Sequence, residues 1–264
     1  MTAACQHALA AALIAVVALS AGAQMTGASD HRLLLPRLSQ AVPSDLSVRA
    51  IRDGARTRWL LGFTSAIDNV GEGPLVIEGH RRGGSGDMVA VQVIRRADGS
   101  TVSFGPVGRL RYDDLTGHHH WHLRGFDRYT LLNAGGRRLD RPAQKAGFCL
   151  GDSYQTVPGA PGSAPRFLYS MCGFRHPGLR RLVEGLTPGF GDAYPPFIAG
   201  QAIDITGLPA GTYVLANRVN PAGALQEASS AGDVASVRFS LRWVHRGTQL
   251  RVTVIRHCPG SAAC

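Results

Sequence analysis

Residues 237–244 read VRFSLRWV. Val237, Phe239, Leu241 and Trp243 alternate with Arg238, Ser240 and Arg242. A period of two predicts a strand that turns its apolar side chains inward, Trp243 included, and its arginines to water. A second strand, QLRVTVI at 249–255, follows Arg246-Gly247. The same signature recurs upstream. TYVLANRV (212–219) follows the turn Gly207-Leu208-Pro209-Ala210-Gly211, and QAIDIT (201–206) precedes that turn. Tyr129 to Leu132 runs into Asn133-Ala134-Gly135-Gly136, and MVAVQVIRR (88–96) into Ala97-Asp98-Gly99. RWLLGFTSAI (58–67), ending at Asn69, and PLVIEG (74–79) complete the set. Short apolar or alternating runs punctuated by Gly, Pro, Asn and Asp predict an all-β fold, an antiparallel β-sandwich.

Residues 151–200 break this rhythm with the Pro/Gly-rich stretches GAPGSAP and TPGFGDAYPPF. A long irregular segment inside a domain is usually a functional loop or a disordered one. One helical turn is expected at Pro177 to Glu184. No internal repeat or linker divides the chain. The expected organisation is a leader at 1–23 and one domain at 24–264.

The leader reading rests on Met1 to Ala23, which has no Asp, Glu, Lys or Arg, carries the run ALAAALIAVVALSAG and ends in Ala21-Gly22-Ala23. This is a signal-peptide pattern with a small-residue cleavage site, and its apolar run is short for a full membrane span. The expected mature protein is exported, without a membrane span. Beyond Cys5, the cysteines Cys149, Cys172, Cys258 and Cys264 are even in number, as an oxidising compartment favours. Of their three pairings, Cys149–Cys172 with Cys258–Cys264 is the one expected.

The formal charge is +10 in 264 residues. The arginines are scattered and no nucleic-acid motif accompanies them, so nucleic acid is not an expected partner. A solvated basic surface suited to anionic envelope polymers is. All but one of the 28 basic residues are arginine, the exception being Lys145. Only an amine, not a guanidinium, can lose its proton under mild conditions and act as a nucleophile.

In GHHHWHLRGFDRY (117–129), strand alternation places His118, His120 and His122 on one face and His119 and Trp121 on the other. Three convergent imidazoles suit Cu(II) or Zn(II) with positions left open for water or substrate. A zinc hydrolase would need an acid–base partner nearby, for which Asp113, Asp114 and Asp127 are the candidates.

HHHWHLRGFDRYTLL is followed in order by QKAGFCLGD, GLTPGFGDAY and GQAIDITGLPAGTYVLANRVNPAGALQE. Over roughly Gly117 to Glu227 this series resembles the catalytic domain of the lysyl oxidase family, copper-dependent protein-lysine 6-oxidases, in a bacterial-type form. The resemblance implies Cu(II) bound by His118, His120 and His122. It makes Lys145 and Tyr194 the source of a lysyl tyrosylquinone, so the sole lysine falls where the family requires an amine. The implied activity is oxidative deamination of peptidyl lysine or other primary amines by O2, giving aldehyde, hydrogen peroxide and ammonia. Asp192 and Asp127 are candidates for the α-proton base. The chain departs from the animal enzymes in ASSAGD after Glu227, in several missing cysteines and in a His122–Phe126 spacing one residue short. The rival reading is a non-catalytic copper-binding envelope module.

Overall fold

The computed structural model describes residues 30–114, 118–141, 147–156 and 172–264. The leader reading at 1–23 and the position of Lys145 lie outside the described residues. Seventeen strands, numbered in chain order, form three sheets in which every pairing is antiparallel.

The first sheet runs β10 (Gly147–Phe148), β8 (His120–Arg124), β7 (Thr101–Asp113), β6 (Met88–Arg96), β5 (Leu75–His80), β12 (Arg181–Leu186), with β1 (Leu33–Leu34) on β6. The second runs β11 (Tyr154–Gln155), β13 (Phe190–Tyr194), β4 (Arg56–Asn69), β14 (Ala202–Asp204). Both β2 (Leu38–Gln40) and β3 (Ser44–Asp53) also pair with β4. The third runs β17 (Gln249–Pro259), β16 (Val234–Val244), β15 (Gly211–Val219), β9 (Asp127–Asn133). The all-β, antiparallel sandwich expected from sequence is the observed fold class, and among the described residues the only helical turn is His245–Gly247.

Alternation explains the strands. In β6, buried Met88, Ala90, Gln92 and Ile94 alternate with partly exposed neighbours. In β16, Val237, Phe239 and Leu241 are buried as expected. Trp243 is not: it is 41% exposed and packs edge-on against Trp59, ring centroids 5.3 Å apart. The strand outruns the core there, so the last inward position covers an edge instead of filling an interior. The segment expected to turn helically is also strand: Arg181–Leu186 pairs with β5 from Arg181↔His80 to Leu186↔Leu75. A free edge of six residues on β5 outweighs weak local helical preference.

One hydrophobic cluster draws on all three sheets, including Leu61, Phe63 and Ile67 of β4, Leu110, Trp121 and Leu123 of β7 and β8, and Leu215, Val237 and Phe239 of the third sheet. A single fully buried amide joins the first two sheets. Asn69 donates from Nδ2 to the carbonyls of Gly73 (3.0 Å) and Leu186 (2.9 Å). Its Oδ1 accepts the N–H groups of Arg37 (3.2 Å) and Gly71 (3.1 Å). All four valences are used, so truncation orphans buried backbone groups. Asn69→Ala is expected to cost roughly 2–4 kcal/mol in denaturant unfolding. A loss below about 0.5 kcal/mol would show that the amide does not tie the sheets together.

Candidate metal centre and its surroundings

His120 and His122 stand two apart on β8, opposite Asp113 and Arg111 of β7. Trp121 between them is fully buried on the other face, its Nε1 donating to the His176 carbonyl at 3.2 Å and the Arg81 guanidinium 4.6 Å above its ring. That anchor sets the strand's roll and so aims both imidazoles. Gly147 of β10 lets the edge close over them. A Cβ there would lie 2.9 Å from both the His122 Cβ and the Leu123 carbonyl oxygen.

His118 arrives differently from the expectation of one continuous strand. The strand begins at His120, and His119 adopts a left-handed backbone with φ 53°. The turn swings His118 under the other two rings, while His119 points to solvent and meets Asp114 at 3.1 Å. Arg175 N–H bonds the His119 carbonyl (2.7 Å) and Trp121 N–H bonds the Cys172 carbonyl (2.9 Å), holding the turn against the following loop.

The result is a convergent donor set: one ligand-capable atom from each of His118, His120 and His122 lies within 4.8 Å of the others. His118 and His122 are buried, at 2% and 1% exposure. His118 Nε2 lies 2.7 Å from the Ala199 carbonyl, which fixes the proton there and leaves Nδ1 as the lone-pair nitrogen. That Nδ1 is buried with no hydrogen-bond partner. The Nε2 atoms of His120 and His122 face each other at 2.7 Å, an approach that a shared proton or a cation must satisfy. Asp113 Oδ2 lies 3.5 Å from His122 Nδ1, the outer-shell carboxylate that orients a ligating imidazole. Two nitrogens each about 2.0–2.1 Å from one ion can be at most about 4.2 Å apart. The donor set must therefore contract to close on one ion, and its three imidazoles are the donor chemistry of a Cu(II)- or Zn(II)-type ion.

Tyr194 sits on the second sheet, its Cα opposite that of Ser65 on β4. Its buried hydroxyl accepts the Cys149 N–H and donates to the Cys149 carbonyl, both at 2.8 Å, with the Phe148 ring centroid 4.4 Å away. Cys149 is disulfide-bonded to Cys172, and Cys258 to Cys264, the pairing expected from sequence. A covalent and hydrogen-bonded path therefore runs from Tyr194 through Cys149 and Cys172 to Trp121 in the histidine strand.

Asp192 lies on the same face of β13 as Tyr194 and is 1% exposed. Sequence reading missed its companion. Glu184 of β12 is fully buried, with the Leu150 backbone as the hydrogen-bonding neighbour of its carboxyl. Burial first, and the charge of Asp192 second, push the Glu184 carboxyl well above the usual range. The available signal was a lone glutamate within the apolar run Leu182–Leu186, disguised by the expectation of a helical turn. Asp127 stands elsewhere: its carboxylate accepts from Ser65 Oγ at 3.0 Å, and Ser65 Oγ in turn accepts from Asn217 Nδ2 at 3.1 Å. It organises the polar cluster behind Tyr194. Tyr129 and Gln201 complete that cluster at 3.4 Å, and burial raises the Tyr129 phenol well above its ordinary pKa.

A buried three-histidine centre in an antiparallel sandwich defines the class. The family model described as lysyl oxidase matches residues 100–250, and the chain belongs to that family. It is 33% identical over 127 residues to protein-lysine 6-oxidase of Rattus norvegicus, covering 48% of this chain and 27% of that protein. The same figures hold against the Sus scrofa protein-lysine 6-oxidase, of which 45% is covered. Lysyl oxidase homolog 1 of Homo sapiens is 31% identical over 135 residues, 49% of this chain and 20% of that protein. The match thus spans less than half the length of these curated relatives. They are vertebrate proteins and lend no support to a bacterial-type assignment.

Asp113→Asn is expected to lower Cu(II) and Zn(II) affinity 10–100-fold in calorimetric titration; unchanged affinity would remove Asp113 from the centre. Glu184 gives a pH signature. A carboxyl with a raised folded pKa contributes stability below its ordinary value of 4.5, and that contribution is lost as pH rises through the folded pKa. Glu184→Gln is therefore expected to gain on the wild type in melting temperature between pH 5 and pH 8. A constant gap would contradict the buried, raised carboxyl.

Proposed function

We propose that the chain is a secreted copper-dependent amine oxidase. It converts peptidyl lysine or other primary amines to aldehydes with O2, releasing hydrogen peroxide and ammonia. The carrying observation is the His118–His120–His122 cluster, His118 and His122 buried and His120 half-buried, with the His118 Nδ1 unpartnered, in a chain of the lysyl oxidase family. Export rests on the leader at 1–23, and residues 24–264 act as one catalytic domain.

Copper held by the three histidines would supply the O2 chemistry, and a lysyl tyrosylquinone drawn from Lys145 and Tyr194 the carbonyl that takes the amine. The remaining work belongs to the chain's own side chains. The Ala199 carbonyl fixes the His118 tautomer, and Asp113 orients His122. Phe126 and Phe148, ring centroids 5.4 Å apart and both buried, keep water from the Tyr194 ring. Two carboxyls in one dry pocket resist double ionisation. Burial and the neighbouring Asp192 raise the Glu184 carboxyl, and Asp192, on the Tyr194 face of β13, is the carboxyl placed to accept the substrate α-proton. The sole lysine has a reason in this reading, because arginine cannot present a neutral nucleophile.

In an assay of copper-loaded, aerobically matured protein, a lysine-containing peptide is expected to yield peroxide. Lys145→Arg is expected to lose at least about 10³-fold in rate while retaining full copper stoichiometry, the size of effect that follows loss of a covalent catalytic group. Equal behaviour of wild type and variant would favour the copper-binding module.

A further inference from the structure

The third sheet has two unlike faces. Its inner face carries Tyr129, Leu131, Leu215, Val237, Phe239 and Leu241 into the core. On its outer face, arginines stand directly opposite arginines. Arg218 of β15 faces Arg128 of β9. Arg238 of β16 faces Arg256 of β17, and Arg242 faces Arg251. Like charges directly opposite in a sheet destabilise it, so each pair sets stability against some other gain. Among the described residues, none of these six guanidinium groups pairs with an Asp or Glu carboxylate, and Arg238 reaches the Cys264 backbone oxygen at 3.4 Å. Asp233, buried at 4% exposure, interacts with the charge of Arg218, so the repulsion at that level is partly offset.

The pairs are ordered. Arg218 is level with Val234 on β16, Arg238 lies four residues further along that strand, and Arg242 four further again. At about 3.3 Å per residue the three levels fall about 13 Å apart along the strands and span about 26 Å. Hydroxyls lie between the upper two levels, where Ser240 is flanked by Thr212 on β15 and Thr253 on β17. At the lower level, Arg128, Arg138 and Arg218 rim a groove of about 250 Å³ floored by Thr130, Leu132 and Ala216. Ala262 forms one wall and is held there by the Cys258–Cys264 disulfide.

We propose that this outer face is a binding site for a linear acidic polysaccharide, independent of the amine oxidase reading. Guanidinium pairs at three successive levels, the lowest stepped across to β15 and β9 and the upper two on β16 and β17, match repeating carboxylates or sulfates, which arginine engages through two parallel N–H donors. The interleaved serine and threonine hydroxyls match sugar hydroxyls. None of the outward residues named here is aromatic, so the face offers no stacking platform for the bases of a single-stranded nucleic acid. The charge is spread over three levels of the sheet rather than gathered in one pocket for a compact anion.

The test uses the mature full-length chain, with heparin and polygalacturonate as probes and an acidic peptide and DNA of matched charge as competitors. Arg128→Thr with Arg218→Thr, and Arg242→Thr with Arg251→Thr, keep strand preference while removing one pair each. Each double variant is expected to lose at least tenfold in affinity for a polysaccharide probe at about 0.1 M salt. Each is also expected to flatten the log affinity–log salt slope by about two. Relief of repulsion should leave both melting temperatures at or above the wild type, so a loss of binding is not a loss of fold. Arg82→Thr with Arg180→Thr removes the same charge elsewhere and should change affinity less than twofold. An equal loss in that control would reduce the effect to net charge and overturn the site. DNA or the acidic peptide binding as tightly as the polysaccharides, with the same sensitivity, would overturn the ligand class.

Discussion

Two hydrogen bonds of 2.8 Å hold the candidate cofactor tyrosine in place: the Tyr194 hydroxyl accepts the N–H of Cys149 and donates to its carbonyl. A phenol that meets both backbone groups of one residue can neither rotate nor slide without losing both. Because Cys149 directly follows β10, and β10 pairs with the histidine strand β8, this contact sets the separation between the second sheet and the metal centre on the first. The disulfide to Cys172 repeats the restraint from the other side, since the Cys172 carbonyl receives the N–H of Trp121. Tyrosine, disulfide and histidine strand behave as one unit, and a change in any of them propagates to the others.

The chain spends its charge in two opposite ways. Near Tyr194 it buries carboxyls: Glu184 and Asp192 stand in the interior, where burial and their mutual repulsion raise the Glu184 carboxyl. On the outer face of the third sheet it leaves arginine facing arginine in water. Neither arrangement favours stability. One sits beside the candidate tyrosine, and the other on an open face that only an anionic partner would relieve. The same strand, β16, contributes Phe239 to the core and Arg238 to that face, so the period-two pattern of a single segment serves both.

Much of this was legible in the residues. The alternation of 237–241, 88–94 and 75–79 gave the strands, because burial on one face imposes a period that survives without any knowledge of the partner strand. Of the three candidate ligand positions, His120 and His122 were legible by the same rule. His118 converges through a left-handed turn at His119 that no periodicity encodes. Glu184 was illegible because its meaning comes from β5, over a hundred positions away in sequence, which draws the segment into a strand and its carboxyl into the core. Trp243 shows the converse limit: alternation states which way a side chain points, but where the core ends is set by the neighbouring elements. The arginine pairs needed strand register, which the composition alone cannot supply.

The most direct measurement is peptide mass mapping of the copper-loaded, aerobically matured protein, asking whether the peptides carrying Lys145 and Tyr194 are covalently joined. A cross-linked pair with the mass of an oxidised ring is the result expected here, and it would establish that the histidine centre and the tied tyrosine build one cofactor. Two separate, unmodified peptides, with copper bound and O2 present, would contradict the account and leave a copper-binding sandwich in its place.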